Sequence, residues 1–340
     1  MGRIRLSVCI PVYNFAAFIG ATLESILPQS TEEVEVLVVD GASTDNTAEV
    51  LAKYQRTFPR LEYVRLTERG GIDRDMASSV QRARGLHCWL FGGDDIMMPG
   101  ALAHVLREIE GGHDVLLCES ILCRFDMTPL RKHNLLRIDR DRVFDLHDEE
   151  ERREYFRRAM NTAAFFSFCS SLVIKKARWD SVVAGDSFAG SHWAHAARIF
   201  QMIPEGLQVK YLRSPHLYKR GENDSFLDRG LVNRYRITIE GYLELAHRFF
   251  DPESVEAHHI RRAIMAEHNL KSLLNAKLMC QDQGLHQDLL LLDRLASTLY
   301  RRPHLSIRLK GIVYNHAPRL LLRIAKRLYG SAQTFFRGPR

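Results

Sequence analysis

Acidic residues are missing from the end of this chain. After Asp293 there is no Asp or Glu, while eleven Lys and Arg follow. Those eleven charges exceed the net +7 of the whole 340-residue chain, so residues 1–293 carry a net charge of −4. The basic character belongs to the tail, and an acidic body argues against a nucleic-acid partner. No CxxC pair occurs among the six cysteines, which argues against a structural zinc site. Most of these cysteines sit in apolar runs, as expected of reduced thiols. No apolar run reaches the ~18 residues of a membrane-spanning helix. The opening MGRIRLSVCIPVYN lacks the apolar stretch of a signal peptide, so the cytoplasm is the expected location. No GxGxxG follows the first apolar run, which argues against a dinucleotide oxidoreductase. Nor does a Gly-rich basic loop stand there, as a sugar-phosphate nucleotidyltransferase would need. There is no internal repeat and no low-complexity linker.

What remains is ordinary globular composition, 46% hydrophobic and 26% charged, enough for a large core. The length suits about two domains, or one with an extension. Short apolar runs at 4–10, 34–39, 61–66, 86–91 and 114–119 alternate with helical patterns at 16–27, 46–57, 73–84 and 99–110. That alternation predicts an α/β fold with a mostly parallel sheet flanked by helices. The pattern loosens from about 120 to 160. Strands follow at 168–175 and 208–213, with a helix at 191–202 between them. From about 229 onward everything reads helical. The predicted division is 1–228 and 229–340, with 1–98 as a nucleotide-binding half and 99–228 as an acceptor half.

Chemistry-bearing residues gather where strands end. Pro11-Val12-Tyr13-Asn14 closes the first strand and Asp40 the second. Asp73 and Asp75 follow the third, and Asp94-Asp95 close the fourth. In a parallel sheet these ends share one edge, where ligands bind. Adjacent carboxylates repel unless a cation sits between them. Hard Mg²⁺ or Mn²⁺ prefers such oxygens together with substrate phosphates. Taken singly, Ser43, Thr44 and Asp45 read as caps of the next helix, and Asp94-Asp95 as a polar turn. The convergence of all of them describes a site.

SVCIPVYN, VVDGASTDNT, GGIDRDMASSVQRARG and WLFGGDDIMMPGAL, in this order and spacing, resemble glycosyltransferase family 2 with its GT-A fold. GGIDRD, CWLFGGDD, GSHWAHAARIF and KRGENDSF resemble its abequosyltransferase-like branch, which adds deoxysugars to the O-antigen of lipopolysaccharide. The resemblance covers about residues 5–245. It implies transfer of a sugar from a nucleotide-sugar donor, a CDP- or dTDP-deoxyhexose, to a glycan or lipid-linked oligosaccharide. Pro11, Tyr13 and Asn14 would border the nucleotide, with Ser43 beside them. Asp40 would read the base, and Asp73 and Asp75 would lie near base or ribose. Asp94 and Asp95 would hold Mg²⁺ or Mn²⁺ against the diphosphate. In the loop 218–225, Arg220, Asn223 and Ser225 would close over that diphosphate.

Two departures stand out. Gly92 occupies the first position of the metal motif, where many members have Asp. The acidic residue that usually precedes the Trp of GSHWAH is replaced by His192. His192 is a candidate general base, as an imidazole titrates near neutrality. It is equally a candidate for binding acceptor or phosphate, or for a structural role. His195, one helical turn on, and Asp186 are the other candidates. The stereochemistry stays open, as does the alternative of a catalytically weak, tethering homologue. Residues 305–329 mix apolar and basic residues at helical spacing. Such a segment suits either peripheral contact with the inner face of the cytoplasmic membrane or packing on the catalytic domain.

Overall fold

The computed structural model describes residues 3–58, 60–182, 188, 190–223, 230–301, 305–318 and 323. The chain forms two compact units. The first is residues 1–224 with 249–259, and the second is residues 225–248 with 260–340.

The first unit is built on one ten-stranded sheet. Strands β1 (Leu6–Val12), β2 (Val34–Asp40), β3 (Leu61–Arg65) and β4 (His87–Leu90) run parallel in the order β3-β2-β1-β4. Helices α1 (Ile19–Ile26), α2 (Thr47–Thr57) and α3 (Ile72–Arg82) connect them. Every residue of β1, β2 and β4 is buried, because helices or other strands cover both faces. Val8, Ile10, Val36 and Val38 form the centre of the core with Leu23 and Trp89. Register places Val12 beside Asp40, and Asp40 beside Arg65. The strand ends named from the sequence therefore do share one edge.

Beyond β4 the sheet is mixed. It contains β5 (Ile96–Met97), β6 (Val115–Cys123), β7 (Pro129–His133), β8 (Arg142–Asp145), β9 (Leu172–Lys175) and β10 (Gln208–Lys219). Strand β9 runs antiparallel to both β4 and β6, while β6 and β10 are parallel. Strands β7 and β8 fall in the stretch where the sequence pattern loosens. Helices α4 (Ala101–Glu108), α5 (Glu149–Arg158), α6 (Lys176–Ser181) and α7 (Ala194–Met202) complete this part. The acidic first turn and basic last turn of α5 complement its dipole, and Asp148 caps it by accepting from the Glu151 amide.

The second unit is helical: most of α8 (Leu231–Phe249), the end of α9 (Val255–Glu267), then α10 (Leu270–Gln283), α11 (His286–Tyr300) and α12 (Leu305–His316). Buried Tyr314 ties α12 down by donating to Asp293 at 2.7 Å. Among the described residues, no helix is long and apolar enough to cross a membrane.

Candidate active site

Each strand end at the edge carries a side chain locked by its neighbours. Asp40 is fully buried. Its Oδ1 accepts from the Ser43 amide at 2.7 Å and its Oδ2 from the Tyr63 hydroxyl at 2.9 Å. Burial, then the Asp40 charge, push the Tyr63 phenol up to about 12. Ser43 Oγ accepts from the Asn14 amide at 2.9 Å, and Asn14 Oδ1 accepts from the Thr44 amide at 2.8 Å. The loops after β1 and β2 are thus stitched together. Asn14 takes a left-handed backbone, φ 58°, a region Asn tolerates better than most residues. Pro11 is buried inside β1. Tyr13 is half-buried, and the Arg69 guanidinium lies 3.9 Å from its ring centroid.

Asp75 and Asp73 sit in the first turn of α3 and face different partners. Asp75 is buried against the loop after β2. A Cβ on Gly41 would lie 2.4 Å from its Oδ2, so any side chain there would push the carboxylate aside. Burial is the main cause raising its carboxyl above the usual range, with the Asp40 charge adding to it. Asp73 faces the segment that leads into α7. Its Oδ2 accepts from the amides of Gly190 and His192 at 2.9 and 2.8 Å, and its Oδ1 from the Ala194 amide at 3.2 Å. It satisfies the amides that lead into α7.

The Asp94-Asp95 pair follows β4. Asp95 is 3% exposed. Its Oδ1 accepts from the Arg220 amide at 2.9 Å and its Oδ2 from Ser170 Oγ at 2.5 Å. Asp94 Oδ2 accepts from Asn223 Nδ2 at 2.7 Å, and the Asp94 carbonyl from Arg220 Nε at 3.0 Å. A Cβ on Gly92 would stand 3.1 Å from Asp95 Oδ2 and 3.2 Å from Asp94 Oδ1, so both carboxylates border one small space. Burial, then the charge of Asp94, push the Asp95 carboxyl up to about 7. Burial also raises Asp94. Lys219 lies 4.2 Å from the Phe168 ring centroid, and Arg220 lies 5.0 Å from that of Phe18.

The sequence profile of Glycosyl transferase family 2 matches residues 7–180. The chain belongs to glycosyl transferase family 2. As a member of that family it is a glycosyltransferase. It is 31% identical over 252 residues to the abequosyltransferase RfbV of Salmonella typhimurium, covering 72% of this chain and 75% of that one. Staphylococcus aureus TarS residues 1–349, solved with UDP-GlcNAc, superposes with a TM-score of 0.59 at 17% identity, over 95% of this chain and 92% of that one. The mannosyltransferase PcManGT of Pyrobaculum calidifontis, solved with GDP-Man and Mn²⁺, gives 0.52 at 15% identity, over 97% and 88%. Both likenesses support the GT-A fold.

The base region of this family 2 enzyme departs from expectation. Helix α7 begins at Ala194, so His192 precedes it, with φ 72°. His192 and His195 therefore share no helical face. His195 is buried, and its Nε2 lies 2.9 Å from the Phe166 carbonyl and 3.5 Å from Cys169 Sγ. A ring nitrogen facing a carbonyl must donate, so Nε2 carries the proton and is no base. Burial lowers its pKa, against the Phe166 hydrogen bond, which favours the protonated ring. Asp186 and Ser225 lie outside the described residues.

Sequence reading also missed partners. Ser170 bridges the site, accepting from the Gly92 amide at 2.8 Å while donating to Asp95. Tyr63 was visible only as part of a strand. In the parallel register Tyr63 stands beside Val38, two residues before Asp40, and its hydroxyl reaches the carboxylate diagonally.

Proposed function

We propose that this glycosyltransferase moves a deoxyhexose of the abequose type from a CDP- or dTDP-linked donor to a glycan or lipid-linked oligosaccharide of O-antigen type, with Mg²⁺ or Mn²⁺. The observation that carries this reading is the pair of carboxylates after β4, bracketed by Arg220 and Asn223. An all-oxygen donor set suits a hard divalent cation. The raised Asp95 carboxyl marks an electrostatic cost that such a cation would relieve. Bound there, the metal would supply Lewis-acid stabilisation of the departing nucleoside diphosphate. Arg220 and Lys219 offer positive charge to the same diphosphate, Arg220 with a planar fork suited to phosphate oxygens. Asp40, Ser43, Asn14 and Tyr13 form the wall for base and ribose, and Asp75 supports it. His192 is the candidate to take the proton of the acceptor hydroxyl. The deoxyhexose follows from the similarity to RfbV, an abequosyltransferase.

Helix α12 supports contact with the inner face of the cytoplasmic membrane. Leu305, Leu309, Ile312 and Val313 are 72%, 51%, 54% and 47% exposed, and they follow one helical face. Arg308 and Lys310 sit among them, as in interfacial helices.

The test is nucleoside diphosphate release from CDP-, dTDP-, UDP- and GDP-sugars, with Mg²⁺ or Mn²⁺ and with EDTA. One donor should support metal-dependent release, reduced about 100-fold or more in Asp95→Ala. Failure to turn over or bind any nucleotide sugar would overturn the reading and leave a tethering protein.

A further inference from the structure

A cavity of about 550 Å³ lies between the β7–β8 connection and β10, lined by none of the residues of the donor edge. Arg213 enters it from β10, seven residues before Arg220, which at strand rise is roughly 20 Å along the chain. Its walls carry five guanidinium groups, those of Arg137, Arg140, Arg142, Arg158 and Arg213, against the single carboxylate of Asp139. Leu136, Ile138 and Met160 add apolar surface.

The cavity is built rather than accidental. Leu136 bridges Ala159, the Arg137 amide donates to the Arg158 carbonyl at 2.9 Å, and the Met160 amide donates to the Leu135 carbonyl at 2.9 Å. Asn161 Nδ2 donates to the Asn134 carbonyl at 2.9 Å. At the other end, Asp141 accepts from the Arg213 amide at 2.7 Å. The connection is therefore pinned along its length.

Three of the arginines are held by internal partners. Arg213 pairs with the fully buried Glu119 at 2.6 Å, a carboxylate that also holds Lys132 at 3.0 Å. Arg158 pairs with Glu154 at 2.8 Å. Arg142 lies 4.4 Å from the Phe144 ring centroid and 4.0 Å from Glu154. Arg137 and Arg140 differ: among the described residues, their side chains form no ion pair or hydrogen bond. Two unneutralised guanidiniums beside three fixed ones make a positive basin. Guanidinium forks match the oxygens of a phosphate in bidentate fashion. The apolar wall suits an alkyl chain or a sugar face attached to it.

We propose that this cavity binds the phosphate or diphosphate group of the acceptor. The proposal rests on the transferase reading above for the word acceptor, and on the cavity alone for the anion. Inorganic pyrophosphate and farnesyl diphosphate are titrated calorimetrically into the full chain in EDTA. Three proteins are compared: wild type, Arg137→Ala/Arg140→Ala, and Arg107→Ala, which removes an exposed charge on α4 as a control. Both ligands should bind wild type and the control alike, and bind the double variant on the order of tenfold or more weakly. Tighter binding of farnesyl diphosphate than of pyrophosphate assigns the anion to a lipid carrier. Equal binding assigns it to a phosphate on the glycan. No binding by wild type, or equal binding by the double variant, overturns the proposal. Donor turnover without acceptor, measured on wild type, tests the transferase reading separately, so the two can fail independently.

Discussion

The donor edge and the loops that face it are held together over different spans of chain. Within the edge, partners are near in sequence: Asn14 with Ser43, and Asp40 with Tyr63. Across the site they are distant. Asp73 holds His192, Asp95 holds Arg220, and Asp94 holds Asn223, each more than 100 residues away. The aspartates of the edge are therefore also latches. The difference teaches that carboxylates at the sheet edge fix loops far away in the chain. Asp73 and Asp75, two residues apart, face different partners, the segment before α7 and the loop after β2.

The largest expected effect sharpens the role of the Asp94-Asp95 pair. Asp95 is raised to about 7 in the folded protein from an ordinary carboxylate value when unfolded. A raised pKa means that stability is fully present below the unfolded value. It is lost as pH rises through the window from about 4 to 7. In EDTA, wild type should therefore lose stability relative to Asp95→Asn by about 2–4 kcal/mol across that window. Denaturant unfolding of both proteins at pH 4.5, 6 and 8 measures this. With Mn²⁺ at pH 8 wild type should gain stability and the variant should not. A pH-independent difference between the two would break the account.

Asp73 comes next. Asp73→Ala leaves the amides of Gly190, His192 and Ala194 without their acceptor. The expected loss is about 1–3 kcal/mol of stability. Turnover should fall with donor affinity kept, because the latch lies on the loop that carries His192. Asp75→Ala should do the reverse and weaken donor binding. Nucleotide-sugar binding and kcat, measured on both variants, decide. If Asp73→Ala lost donor binding as severely as Asp75→Ala, the two would share a duty.

The histidines separate in the same way. His192→Ala should remove the acid limb of the pH profile of kcat/KM, in which activity falls as the imidazole gains a proton. His195→Gln should keep that limb, since His195 Nε2 faces the Phe166 carbonyl. An unchanged profile in His192→Ala would move the search for the base to Asp186.

These contrasts also explain how far the sequence can be read. Strands β1 to β4 were legible because each is an apolar run followed by a helix, and their parallel pairing brought Asp40 and Asp94-Asp95 to one edge. Strands β7 and β8 were not, because PLRKH and RVFD are short and carry charge on exposed or half-buried positions. The latch formed by Asp73 was hidden because its partners are backbone amides more than 100 residues away, which no spacing rule reports. The shared helical face of His192 and His195 was misread because helical periodicity was extended one turn too early. Gly190 and His192 both have positive φ, and α7 starts only after them.

The smallest effect tests the donor edge by itself. Tyr63 donates to Asp40 Oδ2 from the neighbouring strand, while Asp40 Oδ1 keeps the Ser43 amide. Tyr63→Phe removes one hydrogen bond to a buried carboxylate and leaves the ring. The expected cost is about 1–2 kcal/mol, more than an ordinary neutral hydrogen bond because the acceptor is charged. Donor affinity should change little, since Ser43 still orients the carboxylate. Equilibrium unfolding and donor binding of the same variant measure both. A large loss of donor affinity with little loss of stability would mean that the phenol, rather than Asp40, touches the nucleotide.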